Sequence, residues 1–175
     1  MSKFNFLIFL IFLIFRDSIG VKSFKSITLR NIQCEGNPEI VVNFTCVLKA
    51  VNRDKVIGIL DGDVITRVTN VMINFNTFAR LNGWKQWIIH GTFDLCEVLA
   101  GKYHPLFKIF KSTLIKYTNI NHTCPFEGHL FVRDLVFDSL DFGNSILPPK
   151  DYRAVLRGYG YKTQYFNITI DVRIT

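Results

Sequence analysis

The segment 163–175, TQYFNITIDVRIT, alternates without a fault. Phe166, Ile168, Ile170, Val172 and Ile174 take every second place, with Tyr165, Asn167, Thr169, Asp171 and Arg173 between them. Side chains of a strand point to opposite faces in turn, so a run this long is a strand with one oily and one wet face. The oily face has to be covered by another layer of structure. Residues 43–50 repeat the logic: Phe44, Cys46, Leu48 and Ala50 are placed inward, and Asn43, Thr45 and Lys49 outward.

Strands are also expected over residues 26–34, 56–60, 64–75, 85–93, 129–136 and 152–161. Asp61-Gly62-Asp63 reads as a tight hairpin turn rather than a calcium site. Gly36-Asn37-Pro38 can fold the chain into a hairpin that sets Cys34 and Cys46 on adjacent strands, and Pro148-Pro149 marks a break. One stretch departs from the pattern. In residues 104–118, Pro105 suits a first helical position, and Leu106, Phe107, Phe110, Leu114 and Tyr117 recur at spacings of three and four. Lys108, Lys111 and Lys116 fall between them, which predicts an amphipathic helix, preceded by a short turn over 94–100. The fold class expected is mainly β: a sandwich of two antiparallel sheets with one amphipathic helix.

The ends and the cysteines set the compartment. Lys3, an apolar run over residues 6–15, and small residues at Ser18 and Gly20 have the layout of a secretory signal peptide over 1–20. Residues 21–175 are then a single domain. The apolar run is too short for a transmembrane helix, which needs about 20 residues. Cys34, Cys46, Cys96 and Cys124 are an even set, expected to form two disulfides. Three pairings are open, of which Cys34–Cys46 with Cys96–Cys124 is the one favoured. No C-x-x-C pair supports zinc. Asn43, Asn121 and Asn167 each begin an N-x-[ST] triplet, so glycosylation is expected on a secreted, extracellular chain.

The chemistry expected is binding. The 21 basic and 14 acidic residues give a formal +7 with no block of five like charges, so a nucleic-acid tract is not expected. The chain has no G-x-S-x-G, H-E-x-x-H or P-loop, and His90, His104, His122 and His129 are scattered. Neither catalysis, nor a metal, nor a cofactor is expected. The aromatic residues are many: 17 Phe, six Tyr and two Trp. Phe75, Phe78, Trp84, Trp87, Phe93, Phe107, Phe110 and Phe166 are candidates for the wall of a cavity between the sheets. Such a wall would take a small hydrophobic ligand or lipid. In the alternative, the same rings fill a solid core, and the surface serves as an extracellular protein-interaction module or co-receptor subunit.

The order LRNIQCEG, NFTCVLKAVNR, FARLNGWKQWIIHGTFDLCEVLAG, YTNINHTCPFEGHLFV and ILPPKDYRAVLRGY resembles a large insect family of secreted proteins of unknown function. It is similar to the chemosensory CheB-type proteins and, more remotely, to ML-domain lipid-recognition proteins. The resemblance covers 27–174 and implies an immunoglobulin-like β-sandwich whose sheets part to admit an apolar ligand. It implies no catalytic site. Where that family commonly shows Leu-Pro-x-Gly-x-Tyr-Arg, this chain has Lys150 in place of the glycine, a residue less tolerant of positive φ.

Overall fold

The computed structural model describes residues 27–53, 55–137 and 148–175. The leader expected over 1–20 lies outside the described residues, as does Leu147 of the Leu-Pro-Pro turn. Strands β1 (Ile27–Gly36), β2 (Val41–Ala50), β3 (Val56–Val68), β4 (Met72–Leu81) and β5 (Gly83–Asp94) come first. A short helix α1 (Leu95–Leu99) and a longer helix α2 (Pro105–Tyr117) follow, then β6 (Phe126–Leu135), β7 (Asp151–Gly160) and β8 (Thr163–Ile174). One sheet runs β1-β8-β7-β4-β5 and the other β2-β3-β6, with every pairing antiparallel.

The sheets pack face to face as a β-sandwich. Val64, Val68 and Phe126 of the smaller sheet meet Ile73 and Phe93 of the larger in one buried cluster. Leu60 meets Leu29, Ile32 and Ile170 in another. From Phe166 onward β8 keeps the alternation read from its sequence, with Ile170 and Ile174 buried, whereas Tyr165, expected outward, packs against the buried cluster of Val64 and Phe126. The longer helix begins at the proline expected to open it, and a short helix stands where a turn was expected. Asp94 caps α1 by accepting a bond from the Glu97 backbone N–H, and Pro105 opens α2. Phe107 of α2 is buried against Phe93, and the helix packs between β6 and β5.

Two expected turns are not turns. Asp61-Gly62-Asp63 lies in the middle of β3, which runs unbroken from Val56 to Val68. Gly62 is buried there, and a Cβ on it would sit 3.0 Å from a ring carbon of Phe44. The glycine therefore makes room for a neighbouring ring instead of bending the chain. Its aspartate neighbours alternate with it, and both are held by His129. The real break comes at residues 69–71, which divides the single strand expected over 64–75 into the ends of β3 and β4. Gly36-Asn37-Pro38 likewise makes no hairpin, since β1 and β2 belong to different sheets. The connection crosses the sandwich, held by the Asn37 carbonyl accepting from Ile40 and Val41 N–H. Ala50, expected inward, is exposed at the end of β2. Lys150 has no positive φ, and its carbonyl accepts from Ile174 N–H at 2.9 Å, so the missing glycine costs this turn nothing.

Both disulfides pair as favoured, Cys34 with Cys46 and Cys96 with Cys124. Because β1 and β2 lie in opposite sheets, Cys34–Cys46 is a bridge across the sandwich, with Cα atoms 6.0 Å apart. Packed sheets ordinarily lie about 10 Å apart, so this edge of the sandwich is drawn tight. Cys96–Cys124 ties α1 to the start of β6 and closes the loop that carries α2. Substituting both Cys34 and Cys46 by Ala should cost about 2–4 kcal/mol of stability, read as a lower urea midpoint. An unchanged midpoint would show that the sheets hold their spacing without the clamp.

Candidate functional site

The space between the sheets is not filled. One cavity of about 160 Å³ is bounded by Val41, Phe44, Val64, Phe126, Leu130 and Phe166, among others. A second, of about 230 Å³, is bounded by Phe75, Leu114, Leu135, Tyr152, Ile170 and Ile174, among others. The walls that the described residues present to both are almost wholly apolar. Inward positions of strands from both sheets supply them, with Leu114 and Thr118 adding the end of α2 to the second cavity.

Local sequence explains why space survives here. Gly158 and Phe166 are cross-strand partners in β7 and β8, and a Cβ on Gly158 would come 2.3 Å from the Phe166 ring. The ring lies over the glycine and reaches Phe44 of the opposite sheet edge-on, with centroids 6.4 Å apart. Tyr152 turns inward on β7, donates its phenol to the Pro148 carbonyl at 3.0 Å and packs edge-on against Trp87. Burial raises its pKa, so the phenol stays neutral.

The aromatic residues singled out from sequence divide. Phe75 lines the second cavity and Phe166 the first. Phe78, Trp84, Trp87, Phe93 and Phe107 line neither, and the side chain of Phe110 lies outside the described residues. Phe93 and Phe107 pack on each other with centroids 6.1 Å apart, and Trp84 lies under the Arg153 guanidinium. Much of the wall is aliphatic, and an abundance of rings in the sequence does not mark it. Leu60, Val132 and Ile168 line both cavities. Alternation marks Ile168 as inward, but no sequence signal distinguishes a wall residue from one in contact on every side.

Arg153 grips Asp171 through two bonds of 2.7 and 2.8 Å, and Arg173 grips Asp151 at 2.6 and 3.0 Å. From β6, His129 lies 2.9 Å from Asp63 of β3 through Nδ1 and 3.2 Å from Asp61 through Nε2, and Asn43 donates to Asp63 at 2.8 Å. Among the described residues no three His, Cys, Asp or Glu are grouped to hold a metal ion. Of the three glycan acceptors, Asn43 and Asn121 are exposed. Asn167 is half-buried in β8 between β1 and β7, and its carboxamide oxygen is buried without a hydrogen-bond partner among the described residues. No helix among the described residues is long and apolar enough to cross a membrane.

Residues 73–154 match the model of a family described as a protein of unknown function (DUF1091). The matched part includes β4, β5, both helices and β6, and with them the Cys96–Cys124 bridge. It leaves out β1, β2, β3 and β8, and with β1 and β2 the clamp between the sheets. A search of curated proteins finds no match.

The outer ion pairs set an acid limit. Bonds from Asn43 and His129 hold the Asp63 carboxyl below the usual carboxylate range, and Arg173 does the same for Asp151. Their folded pKa values lie below the unfolded ones, so their stabilisation is full above about pH 4 and is lost as pH falls further. Thermal midpoints measured against pH should drop through this window. Asp151→Asn should lower the neutral plateau and flatten the acid limb, and a parallel curve would exclude Asp151 as a source of that limb.

Proposed function

We propose that the chain is an exported, glycosylated binding protein that sequesters a small hydrophobic ligand or lipid between its two sheets. The observation that carries this reading is the apolar space of about 230 Å³ beside Phe75 and Tyr152. An engineered apolar cavity of about 150 Å³ stays dry and takes up benzene. A wall of hydrocarbon gains about 25 cal/mol for each Å² of ligand surface it covers. The surface that the described residues present to this space is almost wholly apolar, which favours binding over turnover. Export is supported by the two disulfides, which persist in oxidising compartments. The immunoglobulin-like reading, the likeness to CheB-type and ML-domain proteins, a chemosensory setting and an extracellular receptor as partner belong to the same proposal. The clamp across the sheets and the apolar gap support it.

Purified oxidised protein should carry apolar molecules detectable by mass spectrometry after solvent extraction, and should quench or brighten a fluorescent fatty probe that those molecules displace. Absence of both effects favours the alternative, in which the chain acts through its surface as an extracellular interaction module or co-receptor subunit. Expression through a secretory pathway should add glycosidase-sensitive mass at Asn43 and Asn121, lost on Thr45→Ala and Thr123→Ala, with little at half-buried Asn167. Secreted protein of unmodified mass would remove the glycan from the reading.

A further inference from the structure

The two cavities share three wall residues, Leu60, Val132 and Ile168. Leu60 and Val132 are direct cross-strand partners on β3 and β6, and Ile168 belongs to β8 of the facing sheet. They form a waist between two chambers. The chambers follow one another along the strands: on β8, Phe166 belongs to the first, Ile168 to both, and Ile170 and Ile174 to the second. From Phe166 to Ile174 that strand runs roughly 26 Å, at about 3.3 Å per residue.

Size and shape then select a ligand. Neither chamber alone, at about 160 or about 230 Å³, reaches the 300 Å³ or so at which pockets for small molecules begin, whereas the two joined exceed it. Space this small drawn out along a strand is long and narrow. The described walls present almost no polar surface to meet a headgroup.

The waist is also held in place. Cys46 is the cross-strand partner of Leu60, and Cys34 is the partner of Ile168. The Cys34–Cys46 bridge therefore spans the sandwich in the same transverse row as the waist. At this level the sheets cannot part along the clamped edge, and the passage opens only as far as Leu60, Val132 and Ile168 turn aside.

Resting on the carrier reading above, we infer that the ligand is an unbranched, uncharged alkyl chain that threads the waist and occupies both chambers. The three waist side chains set the chain length accepted. The test is displacement of a fluorescent fatty probe from the full oxidised chain by n-alkanols from octanol to octadecanol. Affinity should rise about fourfold per added methylene and keep rising beyond the length that fills the larger chamber. Val132→Phe should bring the plateau to shorter chains. Leu60→Ala should raise affinity for the longest chains, and Ile168→Val gives the same direction with a smaller loss of core should Leu60→Ala not fold. A wild-type plateau at short chains that none of these substitutions moves would overturn the threaded chain while leaving the carrier reading intact. Failure of every alkanol to displace a probe that does bind would overturn the alkyl-chain assignment, and failure of the probe itself to bind would overturn the carrier reading with it.

Discussion

A single covalent contact between layers organises this molecule. Cys34 and Cys46 lie on strands of different sheets, and their bridge draws the sheets together at one edge of the sandwich. The larger sheet extends away from that edge through β8, β7, β4 and β5, and the smaller through β3 and β6. Away from the clamp the gap must be filled by side chains or left open. α2, packed between β5 and β6 and tethered through Cys96–Cys124, closes part of it. The remainder is the pair of apolar cavities.

Small residues and large rings share the work of shaping that space. Gly62 and Gly158 stand under aromatic neighbours, and a single added carbon at either would displace a ring. Phe44 and Phe166 then meet across the gap as a brace between the sheets. Such contacts keep two layers apart as well as together, because a core assembled from rings standing on glycines has fixed high points and hollows between them. Outside, bidentate arginine–aspartate pairs run across β7 and β8. Their stabilisation is modest, as for other partly exposed ion pairs, but they bind neighbouring strands in register where the alternation alone specifies only a face.

How much of this was legible beforehand follows from the range of each interaction. Alternation in β8 and the proline at the start of α2 act within a few residues, and each appears in the structure where its local chemistry places it. Asp61-Gly62-Asp63 and Gly36-Asn37-Pro38 misled for one reason. Glycine serves both a turn and a close approach, and the ring of Phe44 that decides for Gly62 belongs to another strand. Trp84, Phe93 and Phe107 stand out by residue type as wall candidates, yet rings are as useful for packing on a cation or on one another. Leu60, Val132 and Ile168 carry no local mark of a wall position, since their shared place depends on the register of two sheets.

The sequence by itself determined that the described chain would be mostly strand, that one helical excursion would interrupt it, and that four cysteines would close two bridges. These outcomes follow from side-chain periodicity and from thiol count, which any reader of the chain can inspect. Only the tertiary structure decided that β1 and β2 part company, that the first bridge joins sheets instead of neighbouring strands, and that two hollows flank a waist of aliphatic side chains. The physical reason is that a void is a property of surfaces meeting across space. The same alternating residues will line a gap or fill it according to how far apart their layers are held.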